Sequence, residues 1–338
     1  MDVDPSCWPP SHETECAGLT VRHMLVPLDG SPLAECVLPW AIAVAQVFAA
    51  RVTLLRILEA PAVTGHRHDA VDWQIRRTEA HNRLVKLGHQ LTACGVTSAV
   101  ELLEGRPAEQ IINFAGRHDV DLVVLSSHGE GGLSGWILSS TAHMVVARAR
   151  SSVFVIPAHA AETRPAGELR FQRILVPLDC SPRAECVLPL AVALARAHDA
   201  ELILAHVVPE PELPRRMPAS PEDTAIASRL TERNRLEAER YLGELQCRLA
   251  GQALRVGVRI VVSHRRAPAI RALADEADAD LIVACAHGRT GDAGERYGTV
   301  AARLLAESSR PIVVFQDLGG AGREPTRAEK AAEGRPGH

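Results

Sequence analysis

The sequence is poor in aromatic residues, has no excess of basic charge and contains no long hydrophobic run. Four Trp, two Tyr and five Phe among 338 residues argue against a protein that stacks single-stranded bases on aromatic platforms. The formal net charge of −4 argues against a basic surface that holds nucleic acid or an anionic membrane. The longest apolar run, residues 37–50, is interrupted by Gln46 and is shorter than the ~20 residues of a membrane helix. We therefore expect neither nucleic acid nor membrane as a partner.

Signs of secretion are also missing. The first residues read MDVDPSCWPPSHETEC, which is acidic and broken by proline and lacks the basic and apolar parts of a signal peptide. The eight cysteines are scattered over the chain without a C-x-x-C pair, so no small disulfide framework is expected. These features predict a cytoplasmic protein.

The chain contains two copies of one sequence pattern. Residues 24–45 read MLVPLDGSPLAECVLPWAIAVA, and residues 174–195 read ILVPLDCSPRAECVLPLAVALA. A second pair follows downstream, with DLVVLSSHG at 121–129 and DLIVACAHG at 280–288. A repeat of this length indicates one duplicated domain rather than a solenoid of short units.

Strand and helix patterns alternate within each repeat. Short aliphatic runs without polar alternation are typical of strands buried on both faces of a parallel sheet; in the first repeat they cover 24–28, 52–57, 99–103, 121–126 and 152–156. Apolar residues at helical spacing predict long amphipathic helices, with faces formed by Ala80, Leu84, Leu87 and Leu91 and by Ala238, Tyr241, Leu242, Leu245 and Leu249. This order predicts α/β domains with a doubly wound sheet, whose ligand lies outside the carboxyl ends of the strands.

Composition suggests where the two domains begin and end. We predict an N-terminal tail, a first domain, a linker, a second domain and a disordered C-terminal tail at residues 1–20, 21–158, 159–170, 171–317 and 318–338. The second domain also carries a proline-rich insert at 208–223, which we expect to be extended and mobile.

The end of the first strand in each repeat carries an Asp-x-Ser-Pro sequence, at Asp29 and Ser31 and again at Asp179 and Ser181. A serine followed by proline predicts a helix N-cap, and the free N–H groups of a helix N-terminus attract anions. Each aspartate could accept a hydrogen bond from a ribose hydroxyl or an adenine amine, or it could only tie down the turn. Both interpretations stay open.

A glycine-containing loop follows the fourth strand of each repeat. In the second repeat, Gly288 is followed after nine residues by Gly298-Thr299; in the first, Gly129 is followed by Ser139-Ser140. Such a loop can wrap phosphates with backbone N–H groups and a hydroxyl. The recurrence of the loop after a matching aspartate strengthens the prediction of a phosphate site.

Together these segments resemble the universal stress protein family in its tandem two-domain form. The residues that carry the resemblance are PLDGS and PLDCS, DLVV and DLIV, and HGEGG and HGRTG. The resemblance implies five parallel strands per domain in the order 3-2-1-4-5, helices on both faces, and pairing of the two domains through their last strands. It also implies ATP or AMP binding through a G-x-x-G-x9-G-(S/T) motif, with Mg²⁺ accompanying ATP, and leaves a further homodimer open.

Carried over to this sequence, the resemblance implies two sets of binding residues. In the second repeat they are Asp179, Ser181, Val207, Gly288, Arg289, Gly291, Gly298 and Thr299; in the first they are Asp29, Ser31, Ile57, Gly129, Gly132, Ser139 and Ser140. Cys285 and Ser126 replace the first glycine of the motif. We expect the second repeat to bind better, because the first has Glu130 where the second has Arg289 and a carboxylate repels a polyphosphate.

The predicted function is a stress-response protein that binds an adenine nucleotide as a regulatory ligand. The alternatives are a nucleotide-free scaffold that acts through protein contacts and a weak ATPase with slow hydrolysis. No Walker A, H-E-x-x-H or G-x-S-x-G motif is present, and we expect no catalytic residue. His128 and His287 are interpreted as supporting the backbone or as exposed, and His66-x-His68-Asp69 as a solvated loop rather than a metal site.

Three local expectations concern single residues. Pro39 and Pro189 fall inside the predicted first helix of each repeat, where proline should cause a kink. At Gly298 a side chain is expected to intrude where the backbone approaches phosphate closely, and the backbone conformation there is expected to be one that a side chain disfavours. Cys180 and Cys285 are expected to border the second nucleotide site, with a helix N-terminus favouring the Cys180 thiolate. Small fillers at buried turns are the alternative interpretation of both cysteines.

Overall fold

The computed structural model describes residues 21–59, 70–128, 138–160, 167–211, 220–289 and 296–317. The predicted N- and C-terminal tails and residues 212–219 of the proline-rich insert lie outside this set. None of the helices within the described ranges combines the length and the apolar character needed to cross a bilayer.

Each repeat contributes five parallel strands in the order 3-2-1-4-5, as predicted. The strands of the first repeat are β1 His23–Leu28, β2 Arg51–Leu58, β3 Ser98–Glu104, β4 Leu122–Ser126 and β5 Ser152–Ile156. Those of the second repeat are β6 Arg173–Pro177, β7 Glu201–Val208, β8 Val256–Val262, β9 Leu281–Cys285 and β10 Ile312–Phe315.

Nine α-helices are found in the described residues. They are α1 Pro32–Glu35, α2 Leu38–Phe48, α3 Ala70–Ala93, α4 Pro107–Arg117, α5 Ser140–Arg148, α6 Leu188–His198, α7 Pro221–Ala250, α8 Arg266–Glu276 and α9 Thr299–Glu307. Helices cover both faces of the sheet. Successive side chains along a strand point to opposite faces and pack into two separate apolar clusters. Val26 and Leu54 face α2 and α3, whereas Leu25 and Leu55 face α4 and α5. All of the residues predicted to form the inner faces of the two long helices are buried except Tyr241, which is half-buried.

The two repeats form one continuous sheet of ten strands. Strands β5 and β10 pair antiparallel, with Phe154 opposite Val313 and with Val155 opposite Ile312. The pairing of the last strands that the resemblance implied is thus present. Since this pairing covers the edge strand that each repeat would otherwise expose, the two repeats stabilise each other.

The connection between the repeats ends inside the core. Leu169, which the sequence places in the linker, is only 2% exposed, and Phe171 is fully buried. The Phe171 ring packs against Trp40 of the first repeat, with 5.8 Å between ring centroids, and against His198 of the second, at 4.8 Å.

The prolines of the first helix do not kink it, and the prediction of a kink was wrong. In the first repeat, α1 ends at Glu35 and α2 begins at Leu38, so that Pro39 lies in the first turn of α2. A proline there removes no helical hydrogen bond, because the first N–H groups of a helix have no partner within it. Pro189 has the same place in α6.

Candidate functional site

The predicted site residues of the second repeat gather where two neighbouring strands end. Strand β6 pairs with β9; Asp179 lies two residues beyond the end of β6, and Gly288 lies three residues beyond the end of β9. This is the carboxyl edge at which an α/β sheet binds its ligands.

The Asp179 carboxylate holds the strand-end turn and the start of the glycine loop together. Its Oδ1 accepts hydrogen bonds from the backbone N–H of Ser181 (3.1 Å) and from the Ser181 hydroxyl, and its Oδ2 accepts one from the backbone N–H of Arg289. A Cβ on Gly288 would lie 2.1 Å from Oδ2. A side chain at position 288 would therefore have to displace the Asp179 carboxylate.

The first repeat has the same turn around Asp29. Its Oδ1 accepts from the Ser31 backbone N–H at 2.9 Å and from the Ser31 hydroxyl at 2.7 Å. Both aspartates therefore tie down their turns, which was one of the two interpretations of their role. Gly129 and Gly132 of this repeat, and Gly291 of the second, lie outside the described residues.

The predicted serine N-cap is present in the first repeat but not in the second, and the helical segment after each serine is very short. Ser31 accepts a hydrogen bond from the Ala34 N–H at 3.1 Å, and Ser181 accepts one from Ala184 at 3.2 Å. Ser31 is the N-cap of the four-residue α1, whereas the corresponding element of the second repeat is a single 3₁₀ turn, Ala184–Val187, whose N-cap is Arg183. One turn contains too few aligned peptides to build a helix dipole. The anion-attracting helix N-terminus predicted at this point is therefore not supported.

Gly298 and Ser139, the residues at which the two loops end, have nearly identical backbone dihedral angles. Gly298 is the N-cap of α9 with φ −64° and ψ 160°, and Ser139 is the N-cap of α5 with φ −62° and ψ 158°. The prediction of an unusual backbone at Gly298 was wrong, since any residue adopts this conformation. Thr299 and Ser140 are the first residues of α9 and α5, and both are exposed.

Ile57 and Val207 occupy equivalent places near the ends of β2 and β7. Val207 is 6% exposed, Ile57 is half-buried, and both side chains pack in the apolar cluster of the α4 and α8 face.

A pair of residues that the sequence analysis missed contacts the turn after the first strand. In the first repeat, Arg56 packs over Gly30, where an added Cβ would lie 1.7 Å from Arg56 Nη1. The second repeat has Cys180 and His206 at the same positions, with 3.5 Å between Sγ and Nδ1. His206 Nδ1 also donates to the Leu178 carbonyl at 2.7 Å. Both positions differ between the two repeats: glycine and arginine in the first are cysteine and histidine in the second. This paired difference was the sequence signal that could have revealed the contact.

The expected thiolate at Cys180 is contradicted. Burial and the neighbouring negative charge of Asp179 raise the pKa of the Cys180 thiol to about 12. Burial also lowers the pKa of His206. Near neutral pH, Cys180 is a protonated thiol beside a neutral imidazole.

The second cysteine of the expected pair has a different neighbour. The Cys285 Sγ lies 3.4 Å from the Sγ of Cys186 and donates to the Arg183 carbonyl at 3.6 Å. In the first repeat, Cys36 and Ser126 occupy these two positions, with 3.9 Å between Sγ and Oγ. The sequence analysis singled out Cys180 with Cys285 and missed Cys186, although Cys186 is equivalent to Cys36 when the two repeats are aligned.

His287, next to Gly288, is part of a buried ionic cluster. Its Nδ1 donates to Asp317 Oδ1 at 2.7 Å, and Arg183 Nε donates to the other carboxylate oxygen. Burial alone would raise the pKa of Asp317, but the hydrogen bonds from His287 and Arg183 outweigh it and hold that pKa below its ordinary value. The cluster ties the end of β10 to the glycine loop, which agrees with a backbone-supporting histidine.

His128, the counterpart of His287, is buried as well, and its Nδ1 lies 2.9 Å from the Ser127 hydroxyl. No group of three or more His, Cys, Asp or Glu side chains within the described ranges could hold a metal ion. His66, His68 and Asp69 lie outside those ranges.

The fold defines a tandem α/β protein, and each repeat has the same Asp-x-Ser turn at the end of its first strand. The model of the universal stress protein family matches residues 20–157 and again 170–316. The chain belongs to the universal stress protein family.

Curated relatives and solved structures agree with this assignment. A universal stress protein of Mycobacterium tuberculosis is 26% identical over 319 residues, which cover 86% of this chain and 94% of the relative. Another from the same organism is 30% identical over 218 residues, or 63% and 67% of the two chains. A universal stress protein from Archaeoglobus fulgidus shares the fold with a TM-score of 0.61 at 18% identity, over 88% of this chain and 97% of that one.

Proposed function

We propose that the protein binds an adenine nucleotide, ATP or AMP, as a regulatory ligand at the carboxyl edge of the second repeat. The binding residues would be Asp179, Ser181, Val207, Gly288, Arg289, Gly291, Gly298 and Thr299, with Mg²⁺ accompanying ATP. The observation that carries the proposal is the contact between Asp179 and Gly288. It fixes the start of a glycine-containing loop beside the end of the first strand, and the backbone N–H groups of such a loop can receive phosphate.

Two further observations support a binding role. Arg289 is exposed beside this contact and supplies positive charge for an anionic ligand. His128 and His287, the histidines next to the two loops, are only 9% and 2% exposed. Their burial favours ligand binding over turnover by these histidines as general acids or bases.

We propose the equivalent residues of the first repeat, Asp29, Ser31, Ile57, Gly129, Gly132, Ser139 and Ser140, as a weaker site. The first repeat lacks the basic residue at the Arg289 position and has Glu130 instead. Electrostatic repulsion of phosphate by this carboxylate accounts for the difference. The cytoplasmic location also stays a prediction.

The test is calorimetric titration of the full chain with ATP and with AMP. The full chain is needed because the repeats share the β5–β10 pairing. Asp179→Ala and Asp29→Ala are matched variants, since each removes the turn carboxylate of one repeat, and circular dichroism checks that both fold. We expect Asp179→Ala to remove the tighter binding and Asp29→Ala to leave it.

The competing functions give different results. No nucleotide binding by the wild-type chain, and no nucleotide released when freshly purified protein is denatured and examined by mass spectrometry, would favour a protein scaffold. Steady ATP hydrolysis that disappears in Asp179→Ala would favour a weak ATPase. Loss of the tighter binding in Asp29→Ala alone would place the better site in the first repeat.

A further inference from the structure

Two cysteines of the second repeat face each other across the base of the candidate site. Cys186 lies in the 3₁₀ turn Ala184–Val187 and Cys285 is the last residue of β9. They are 99 positions apart in the sequence, yet their sulfur atoms are 3.4 Å apart. Both residues are partly exposed to solvent.

We propose that Cys186 and Cys285 form a redox-active dithiol, which a low-molecular-weight disulfide oxidises to an intramolecular disulfide. A disulfide bond is about 2.05 Å long. The two sulfur atoms would therefore have to approach by roughly 1.3 Å, which a shift of the short turn toward β9 can supply.

The reaction needs two exchange steps. First the Cys186 thiolate attacks one sulfur of the small disulfide; the S–S bond breaks, a mixed disulfide forms and one small thiolate leaves. Cys285 then loses its proton and attacks the Cys186 sulfur, the Cys186–Cys285 bond forms and the second small thiolate leaves. Two protein thiols are oxidised by two electrons, one disulfide is reduced to two small thiols, and the two protein protons end on those thiols.

The order of attack follows from the hydrogen bonds. The Cys285 thiol donates to the Arg183 carbonyl, and its contact with Cys186 together with burial raises its pKa well above the ordinary value. Because this hydrogen bond holds the Cys285 thiol and its thiolate is disfavoured, Cys186 is the entry point for the reagent.

The first repeat provides an internal control. Cys36 has the position of Cys186, but it faces the hydroxyl of Ser126. The same fold with a single thiol can form only a mixed disulfide. The dithiol is thus a property of the second repeat and not a requirement of the fold.

The test is disulfide mapping on the native full-length protein. The protein is treated with oxidised glutathione, remaining thiols are alkylated, and the chain is digested with trypsin without reductant. Cys186, Cys285 and Cys180 fall in different tryptic peptides, 184–196, 272–289 and 174–183. We expect a linked species of 184–196 with 272–289, about 2 Da lighter than the two peptides together because two hydrogens are lost.

Matched variants decide the assignment. Cys186→Ser and Cys285→Ser should each lose the linked species. Serine at position 285 is tolerated by the fold because Ser126 occupies the equivalent position of the first repeat, and circular dichroism checks that Cys186→Ser folds. Cys180→Ser and Cys247→Ser should keep it. Ser126→Cys should gain a second linkage, to Cys36. The proposal is overturned if glutathione adds to either cysteine without linking them, if 174–183 is the linked peptide, or if the linkage forms only after unfolding.

Discussion

The carboxylate of Asp179 occupies the place that a side chain on Gly288 would take. A Cβ at position 288 would lie 2.1 Å from Oδ2 and 3.0 Å from Cγ of Asp179, which is far inside van der Waals contact. Because the same carboxylate accepts hydrogen bonds from Ser181 and Arg289, the turn after β6 and the loop after β9 have to move together.

Gly288→Ala should weaken ATP binding by about tenfold or more, because displacing Asp179 breaks its bonds to both segments, and a hydrogen bond to a charged group contributes about 1.5–3 kcal/mol. Calorimetry on the full chain measures the change. Gly243→Ala is the control: it lies within α7, and no atom lies within 4 Å of its added Cβ. It should leave affinity unchanged. Equal affinity of Gly288→Ala and wild type would show that the Asp179 contact does not position the ligand.

Gly298→Val should weaken nucleotide binding while leaving the fold stable. The backbone at Gly298 is ordinary, and an added Cβ would lie 3.5 Å from the Ala286 carbonyl oxygen, so any loss reports a clash with the ligand. Because valine is a poorer N-cap than glycine, the free energy of unfolding should fall by no more than about 1 kcal/mol, whereas calorimetry should show lower affinity. Gly298→Ser reproduces the N-cap of Ser139 and serves as the smaller variant. A large loss of stability in Gly298→Val would mean that the lower affinity does not report a clash between the side chain and the ligand.

Gly30→Cys should destabilise the protein by more than about 1 kcal/mol. The backbone at Gly30 has φ +84°, a left-handed conformation that costs a residue with a side chain about 1–2 kcal/mol. The new Cβ would also have to displace the Arg56 guanidinium. Adding Arg56→His to Gly30→Cys copies the Cys180–His206 arrangement and should recover part of the loss.

A double-mutant cycle from chemical denaturation measures the coupling between positions 30 and 56. A coupling energy near zero would show that the two positions vary independently in the two repeats. The reverse exchange in the second repeat is Cys180→Gly, which is measured with and without His206→Arg.

Asp317→Asn should lower the free energy of unfolding at pH 7 by about 3 kcal/mol, because it leaves His287 and Arg183 without their buried partner. The folded pKa of Asp317 is lowered. The contribution of its charge is therefore complete above the unfolded pKa of about 3.9 and is lost as the pH falls through the lower folded value.

Urea unfolding between pH 7 and pH 3 should show the difference between wild type and Asp317→Asn shrinking only at the acid end. The control is Asp278→Asn, whose side chain is 68% exposed and forms ion pairs with Arg173 and Arg310. It should change stability by less than about 1 kcal/mol. A constant difference across this pH range would mean that Asp317 acts through packing rather than charge.

The sequence alone determined the architecture. Aliphatic runs without polar alternation, such as 121–126, can be buried only between two layers of helices, and the repeated segments at 24–45 and 174–195 required two such domains. The strand order and the pairing of the last strands came from the family resemblance carried by these same segments. The aspartates, serines and glycines of the candidate site were located because they follow strands whose carboxyl ends meet at one edge.

Contacts between distant side chains were decided only by the tertiary structure. Cys285 faces Cys186 rather than Cys180, because the side chain at the end of β9 points toward the 3₁₀ turn, and sequence spacing does not give that direction. Asp317 lies 30 positions after His287, and its partner Arg183 is 134 positions away. Such charges are brought together by the packing of β10 and of the turn after β6 against one loop. The buried carboxylate is stabilised there by hydrogen bonds from both His287 and Arg183, and no local sequence pattern predicts that these side chains meet.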